Sequence, residues 1–308
     1  MNHISEIIEK AKTLGRRKLA VASAQEASVL EAVADAYREG IAESILVGDT
    51  AAIAAAAREA NNGKGVDISP FRIVEESNPN AAAAEAVALV RSGEADFLMK
   101  GIIDTSLLLR AALNKETGLN AGRLASHVAV MEVPTYHKLF VITDAALNIA
   151  PDLPAFVDII NSAVMVANAL EVKTPKVAFL AAVEKVNPDK MPCTVTASIL
   201  TQMNRRGQIK NCIVDGPLAL DNAISAESAR IKKIQSEVAG DADILVTPDI
   251  EAGNILYKCL LDLAGAKGAA VIMGASVPMV LTSRADTAET KLASIALASL
   301  LGSKGLRA

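Results

Sequence analysis

Tryptophan is absent from this 308-residue sequence, and aromatic residues make up only 3% of it. The formal net charge is −4 at pH 7, and no long run of lysine or arginine occurs. Proteins that bind nucleic acids usually present a basic face or aromatic side chains on which bases stack. The composition therefore argues against nucleic-acid binding and is compatible with a small anionic ligand held by a few local arginines.

Cysteine is scarce, with three residues and no paired spacing. An odd number without pairs supports neither a disulfide framework nor a zinc site. Cys212 falls in a predicted strand and Cys259 in a predicted apolar helix, where thiols are usually inert. Cys193, after Pro192 at a predicted helix start, is the one thiol that could be activated. Because no base is placed beside it, a covalent cysteine mechanism is not favoured.

Long apolar runs and glycine-rich nucleotide loops are missing as well. No run approaches the ~20 residues that span a bilayer, and residues 1–18 have the pattern of an amphipathic helix, not of a signal peptide. We expect a soluble, cytoplasmic protein without a membrane partner. No Gly-x-x-x-x-Gly-Lys-Ser/Thr occurs, and Ala-Ser-Ala-Gln at 22–25 stands in place of Gly-x-Gly-x-x-Gly. Nucleotide hydrolysis and simple Rossmann redox chemistry therefore lose support.

What the sequence does contain is an alternation of short β-branched apolar runs with helical patterns rich in alanine and glutamate. This βαβ rhythm predicts parallel sheets covered by helices on both faces. The predicted strands are 18–22, 44–48, 71–75, 96–99, 176–182, 211–215, 243–247 and 269–273.

The length exceeds the usual range of one domain, so we expect two. Residues 126–144 interrupt the rhythm with the pattern of a β-hairpin. We place the first α/β domain at residues 1–140 plus 276–308, the second at 141–275, and the active site in the cleft between them.

In doubly wound sheets, ligands bind beyond the carboxyl ends of the strands. The fourth predicted strand is followed by Lys100 and Gly101, then by Thr105 and Ser106 at a helix start, with Arg110 further along the helix. The glycine permits close approach of the backbone, the hydroxyls can donate to an oxyanion, and the arginine can pair with it. The alternative is a helix cap followed by an exposed arginine.

Other strand ends also carry polar residues. Asp144 and Asn148 follow the hairpin, and residues 248–254 bring more polar groups to one strand-to-helix crossing than a cap requires. Residues 215–221 are predicted to form a turn whose acids either contact a substrate or cap a helix. On the hairpin, His127 next to Ser126 is a better catalytic candidate than His137, although lone histidines are more often structural.

Residues 282–291 follow an apolar run and open the last predicted helix. Ser283 and Arg284 bring a hydroxyl and a guanidinium to a helix N-terminus, where unpaired amides and the helix dipole attract anions. Asp286 and Glu289 flank the first turn. The alternative is that Asp286 caps the helix and Arg284 pairs with Glu289 on the surface.

Four of these segments, 100–110, 144–148, 248–258 and 282–284, resemble the phosphate acetyl/butyryltransferases, in matching order over nearly the whole chain. The spacing of the acids after Arg284 is more similar to the butyryl-transferring members. The resemblance implies two doubly wound three-layer αβα domains with a cleft between them, as in isocitrate and isopropylmalate dehydrogenases, and a homodimer or higher homo-oligomer. It implies that acyl-CoA and inorganic phosphate give acyl phosphate and coenzyme A, with no metal and no permanently bound cofactor.

The resemblance also implies roles for residues. Ser283 and Arg284 should hold the phosphate or acyl phosphate, with Arg110 as a second anion contact. Acetyl-transferring members carry an aspartate seven residues after that serine, proposed as a base toward the CoA thiol, where this chain has Thr290. Whether Asp286 or Glu289 replaces it is open. The remaining candidates are, for phosphate, Lys100, Gly101, Thr105 and Ser106, and for the substrate and CoA cleft, Ser126, His127, Asp144, Asn148, Asp249, Glu251, Gly253 and Asn254.

We therefore expect a phosphate acyltransferase that uses butyryl-CoA or a similar short-chain substrate by direct transfer in a ternary complex. A phosphate acetyltransferase is the nearest alternative. A decarboxylating dehydrogenase would need clustered aspartates for a divalent cation, whereas the acids here are scattered over separate turns. An inactive CoA-binding domain would not need Ser283, Arg284 and Arg110 at strand ends.

Overall fold

The computed structural model describes residues 1–283 and 286–303. The chain forms two compact units: the first unit is Ile4–Arg123 with Ala269–Ala308, and the second unit is Met1–His3 with Leu124–Gly268. The sequence placed the changes of domain near residues 140 and 276. Residues 126–132 lie in the second unit because they pair with the strand at 140–143.

The first unit begins with alternating helices and strands. In chain order these are α1 (Ile4–Lys12), β1 (Arg17–Ala22), α2 (Ala27–Arg38), β2 (Ala42–Gly48), α3 (Thr50–Glu59), β3 (Arg72–Glu75), α4 (Pro79–Arg91), β4 (Phe97–Lys100) and α5 (Thr105–Ala112). The strands pair in the order β3-β2-β1-β4, and each of these pairs is parallel. Short polar caps start the helices: Asp49 accepts the Ala52 N–H, and Asn78 caps α4 ahead of Pro79.

The second unit repeats this pattern after an antiparallel hairpin, which confirms the hairpin prediction. Its elements are β5 (Ser126–Glu132), β6 (Phe140–Thr143), α6 (Leu153–Ala169), β7 (Lys176–Leu180), α7 (Cys193–Arg205), β8 (Ile213–Leu218), α8 (Leu220–Ile224), α9 (Ala226–Ile231), β9 (Ile244–Val246) and α10 (Ile250–Asp262). The strand order is β5-β6-β9-β7-β8, and every pair after the hairpin is parallel.

The chain then returns to the first unit through β10 (Lys267–Met273), β11 (Met279–Val280) and α11 (Ala288–Ser303). Strand β11 pairs parallel to β4 and antiparallel to β10. Helix α11 is buried along most of its length and packs against α1 and α2, as expected of a helix that is apolar on all sides.

The turn predicted at residues 215–221 is wrong in its first half, because Asp215 to Leu218 continue β8. Strand β8 is the edge strand of its sheet, and its register with β7 shifts between Ala178 and Leu180. An edge strand with such an irregularity tolerates Pro217, which has no N–H to donate. The Gly-Pro pair that signals a turn in sequence therefore lies inside a strand.

Within the described residues, no helix combines the length and the apolar character needed to cross a membrane.

Candidate active site

The carboxyl ends of β1, β4 and β11 lie side by side, because these strands are parallel neighbours in the first unit. Lys100 ends β4, and Ser283 follows β11. The structure therefore brings two of the predicted phosphate-binding segments to the same edge of one sheet. This is the edge at which doubly wound sheets bind their ligands.

Ser283 and Asp286 close a tight turn in front of α11. The Ser283 N–H donates to Asp286 Oδ2 at 2.7 Å, and the Asp286 N–H donates to the Ser283 carbonyl at 3.1 Å. Ser283 itself is exposed. Arg284, the predicted phosphate clamp between them, lies outside the described residues. The Asp286 carboxylate thus has a structural role in shaping the turn that carries Ser283.

The first turn of α11 holds Glu289 and Thr290. Thr287 accepts the Thr290 N–H at 3.2 Å, and the two threonine hydroxyls are 3.2 Å apart. Thr287 therefore performs the capping that the sequence offered to Asp286. Glu289 is exposed on this turn.

Lys291 lies beneath the same turn with only 1% of its side chain exposed. Its Nζ donates to the carbonyl oxygens of Asp286, at 2.6 Å, and of Ser283, at 3.2 Å. The carboxylate of Glu26, in the loop after β1, is 3.7 Å away. A buried cation is thus in contact with both ends of the turn.

Lys100 and Gly101 form a closely packed crossing at the end of β4. The Lys100 ammonium is buried and donates to the carbonyls of Gly101, at 3.0 Å, and Ile103, at 3.2 Å. A Cβ at residue 101 would lie 2.0 Å from the Ser23 carbonyl oxygen, so only glycine fits. The glycine here is explained by packing against the loop after β1.

Helix α5 presents its first turn, Thr105 and Ser106, to solvent. Arg110 lies in its last turn, is exposed, and lines a groove of ≈ 1040 Å³ between α4 and α5 together with Arg91. The proximity of Arg110 to Ser283 that the sequence suggested stays a prediction.

In the second unit, the carboxylate of Asp144 is buried and accepts four hydrogen bonds. It accepts the N–H groups of His127 at 3.0 Å, Ala146 at 2.8 Å and Leu147 at 3.0 Å, and the amide of Asn148 at 2.6 Å. These bonds fix the loop after β6 to strand β5. Asp144 therefore holds this loop in position, and a substitution of Asp144 would affect substrate binding through the position of the loop.

Two further predicted residues, Asn254 and Gly253, pack on the 144–148 loop, and Asn148 ties that loop to the residue before β5. The side-chain amides of Asn148 and Asn254 donate to the carbonyls of Ala125, at 2.9 Å, and Ala145, at 3.0 Å. A Cβ at Gly253 would lie 2.3 Å from the Asp144 carbonyl oxygen. The glycine therefore allows α10 to approach the loop closely.

The other predicted residues of this unit are more peripheral or more deeply buried. Asp249 caps α10 by accepting the Ala252 N–H at 2.8 Å, and Glu251 is exposed. Ser126 is fully buried, and His127 is nearly so, with its ring 5.5 Å from that of Tyr257 in an edge-to-face contact.

Comparison with known proteins decides between the families that share such folds. The family profile described as "Phosphate acetyl/butaryl transferase" matches residues 64–299. The chain belongs to this family.

Individual relatives agree with this membership. The chain is 50% identical over 297 residues to a phosphate butyryltransferase of Clostridium acetobutylicum, covering 96% of this chain and 97% of the relative. It is 48% identical over 301 residues to a phosphate acetyltransferase of Thermotoga maritima, covering 96% and 99%. A branched-chain phosphotransacylase from Enterococcus faecalis V583 has the same fold, with a TM-score of 0.81 and 36% identity over 93% of this chain and 99% of that one. The protein is an acyltransferase.

Within this acyltransferase, two of the three thiols have environments that oppose ionisation. Burial and the nearby Asp249 carboxylate raise the pKa of Cys193, and burial raises the pKa of Cys212 to about 11. Cys259 is exposed on α10. Because thiolates are the reactive form, the raised pKa of Cys193 agrees with the expectation that no acyl-cysteine forms.

The sequence did not identify Lys291 and Glu26 as residues of the candidate site. A signal for Lys291 was present: a lysine in the first turn of a largely apolar helix opposes the helix dipole and needs a compensating partner. For Glu26 no sequence pattern indicates the contact, because the strands that bring it near Lys291 are distant in the chain.

Proposed function

We propose that the protein transfers a butyryl or similar short-chain acyl group from coenzyme A to inorganic phosphate, and back. The observation that carries this proposal is the exposed Ser283 on a turn closed by Asp286, directly ahead of the N-terminus of α11. Backbone amides at a helix N-terminus and a serine hydroxyl are suited to a dianion. The 50% identity to a phosphate butyryltransferase supports the choice of acyl group.

In the forward direction, a phosphate oxygen attacks the thioester carbonyl carbon. A C–O bond forms, the C–S bond breaks, and CoA leaves as a thiolate that takes up a proton. Ser283 and Arg284 hold the phosphate for this attack, with Thr105, Ser106 and Arg110 contributing to the same anion site. Lys100 and Gly101 shape the strand end beside it. Holding two anionic reactants in contact is the main task of the site, since position and charge compensation supply most of such rate enhancements.

In reverse, the thiol of CoA must lose its proton before it attacks the acyl phosphate. A carboxylate with a pKa near 4 is a poor base for a thiol with a pKa of about 8.5. Asp286 is engaged in closing the turn, and Glu289 is exposed. We assign the larger effect to stabilisation of the thiolate by Arg284 and the α11 N-terminus, with the exposed Glu289 as the carboxylate that accepts the proton through water.

On the acyl-CoA side, we assign a supporting role to the 144–148 loop and the start of α10. Asp144 and Asn148 fix this loop, Asn254 and Gly253 hold α10 against it, and Glu251 is exposed beside them. We further propose that the protein acts in the cytoplasm as a homodimer or higher homo-oligomer, with coenzyme A as a substrate and no permanently bound cofactor.

Acetyl transfer is a second candidate, because the 48% identity to a phosphate acetyltransferase is nearly as high. A difference of one or two methylenes in an apolar pocket contributes only ~1–3 kcal/mol to discrimination. Both substrates must therefore be compared directly.

The test is a thiol-release assay with acetyl-, butyryl- and isobutyryl-CoA, with and without phosphate. We expect phosphate-dependent release of CoA, with butyryl-CoA giving the highest kcat/KM. Arg284→Ala should lower kcat/KM by about 100-fold, which is typical of enzymes that lose one hydrogen-bond donor to the charge that develops in the transition state. It should also raise the phosphate KM. Arg206→Ala, which changes an exposed arginine after α7, is the matched control.

Two outcomes would contradict the proposal. Release that is absent with every short acyl-CoA would remove the reaction, and near-normal kinetics of Arg284→Ala would remove the site. Direct transfer is tested by mixing the protein with butyryl-CoA alone. A mass increase of one butyryl group on the protein would replace direct transfer by an acyl-enzyme.

A further inference from the structure

Lys291 is a charged residue in a position that is unfavourable for a charge. It lies in the first turn of α11, where the helix dipole repels cations, and its side chain is almost fully buried. Removing an ammonium group from water is costly unless close oxygen atoms replace the water. The contacts of Lys291 must therefore account for its presence.

These contacts bracket the turn that carries Ser283. The ammonium donates to the carbonyl of Ser283 at one end and to that of Asp286 at the other. Its third neighbour is the Glu26 carboxylate, 3.7 Å away, which compensates the charge. Two of the three N–H donors of the ammonium are therefore bonded to carbonyl oxygens of the protein, and the carboxylate lies at ion-pair distance. Lys291 is thus engaged with protein atoms and has a different role from a ligand-binding lysine.

We propose that Lys291 is a positioning residue for the phosphate-binding turn, with Glu26 as its counter-ion. Because both carbonyl oxygens point to the buried ammonium, their negative charge is neutralised on the inner side of the turn. The exposed side of the turn, where Ser283 lies, then presents less negative potential to an incoming phosphate. This inference rests on the proposed function, because it assumes that Ser283 contacts phosphate.

The main experiment uses Lys291→Met, which keeps the aliphatic stem and removes the charge and the donors. We expect the phosphate KM to rise about 10-fold or more, the effect of losing charge-assisted hydrogen bonds, while the butyryl-CoA KM changes less than about 2-fold. The matched control is Lys210→Met, at an exposed lysine of the second unit. It should leave both constants unchanged.

A second measurement does not depend on turnover. Inorganic phosphate should raise the melting temperature of the wild-type protein, and a higher phosphate concentration should be needed for the same increase in Lys291→Met. If the wild-type protein transfers no acyl group, the proposed function fails, while this comparison still tests the role of Lys291. A folded Lys291→Met protein with wild-type phosphate KM and wild-type phosphate response would overturn the proposal, and so would a fall in kcat with the phosphate KM unchanged.

If Lys291→Met does not fold, Glu26→Gln provides the test. Glutamine can still accept the bond that Ser28 donates to Glu26 at 2.7 Å, so the loop should persist while the counter-charge is lost. Without its counter-ion the ammonium should hold the turn less well. We expect a rise of about 2- to 5-fold in the phosphate KM, in proportion to one partly buried ion pair, and an unchanged value would overturn the proposal.

Discussion

Two aspartates that look reactive in the sequence, Asp286 and Asp144, have carboxylates that accept backbone N–H groups. Asp286 accepts from Ser283, and Asp144 accepts from three backbone groups and one side-chain amide. Aspartate is common in the loops that follow strands, because its short carboxylate can accept backbone N–H groups of the same loop. Their position at the functional edge therefore does not by itself make them bases.

Asp286→Asn separates these roles. The amide oxygen of asparagine can still accept from the Ser283 N–H, so the turn should form and kcat in both directions should stay within about 5-fold of wild type. A general base would instead contribute about 100-fold or more to the direction that starts from CoA and butyryl phosphate. The measurement is initial rates in both directions.

Asp286→Ala is the comparison for that variant, because alanine has no acceptor for the Ser283 N–H. It should raise the phosphate KM more than Asp286→Asn does. Equal and large losses in the two variants would show that the charge of Asp286, and not its hydrogen bond, is needed.

The sequence could suggest which strand ends matter, but not which atoms face a ligand. The polar residues at 100–106 and 282–291 follow directly from where apolar runs end. The Lys291 ammonium and the Glu26 carboxylate come together only because β1, β4 and β11 are neighbours, and strand order is not written in any local pattern. The sequence therefore predicts some residues of the candidate site, but it does not predict the buried residues that contact them.

At the scale of elements, the apolar runs predicted the strands within a few residues, because strands buried on both faces are β-branched and apolar throughout. Residues 18–22 and 44–48 lie within β1 and β2. The segment after residue 215 was misjudged because Gly216 and Pro217 favour turns in isolation. Its place on an edge strand, which is a property of the assembled sheet, overrides that preference.

The amino ends of β6, β7 and β9 are joined by a cluster of charges. Lys138 lies 2.8 Å from Asp241 and 2.6 Å from Asp243, and Lys176 lies 2.8 Å from Asp241. Burial opposes ionisation of Asp241, but hydrogen bonds from Lys138 and Lys176 outweigh it and lower its pKa from 3.8 to about 2. The ionised carboxylate thus ties together elements that are distant in the chain.

This cluster predicts a specific loss of stability in acid. Because the folded pKa of Asp241 is below its unfolded value, its contribution is complete above about pH 4 and is lost as the pH falls toward 2. Asp241 is 45% exposed, so we expect Asp241→Asn to cost at most about 1 kcal/mol at pH 7. Urea unfolding at several pH values measures the difference between wild type and variant. It should shrink between pH 4 and 2, whereas Asp189→Asn, at an exposed site, should show no such change; a difference that grows in acid would contradict the assignment.

At the scale of the whole chain, the alternation of strands and helices predicted α/β architecture on both sides of the hairpin. It placed the first strand of the hairpin in the first domain, whereas the structure places it in the second unit. Residues 126–132 could continue the first sheet or begin the second, and only their pairing with β6 decides for the second unit. Domain limits depend on such long-range pairing and are harder to predict than the strands themselves.

Helix α10 differs from the other long helices of the second unit because only Gly253 in it is buried. Ile255 is 68% exposed and Leu263, directly after the helix, is 83% exposed. Cys259 is exposed as well. These residues are spaced four apart, which places them on one face of the helix, and an exposed apolar face commonly marks a protein interface. We propose this face of α10 as the surface through which the proposed homodimer associates.

The double variant Ile255→Glu and Leu263→Glu should therefore dissociate the homodimer that we propose. Glutamates introduced at a two-fold interface face their own copies or apolar surface, and leaving such charges buried without partners costs several kcal/mol. Light scattering coupled to size-exclusion chromatography should show the wild type at twice the mass of one chain and the variant at the mass of one. Val186→Glu, at another exposed apolar residue of the second unit, should leave the mass unchanged. A wild type with the mass of one chain, or a variant that keeps the dimer mass, would place the interface elsewhere or remove it.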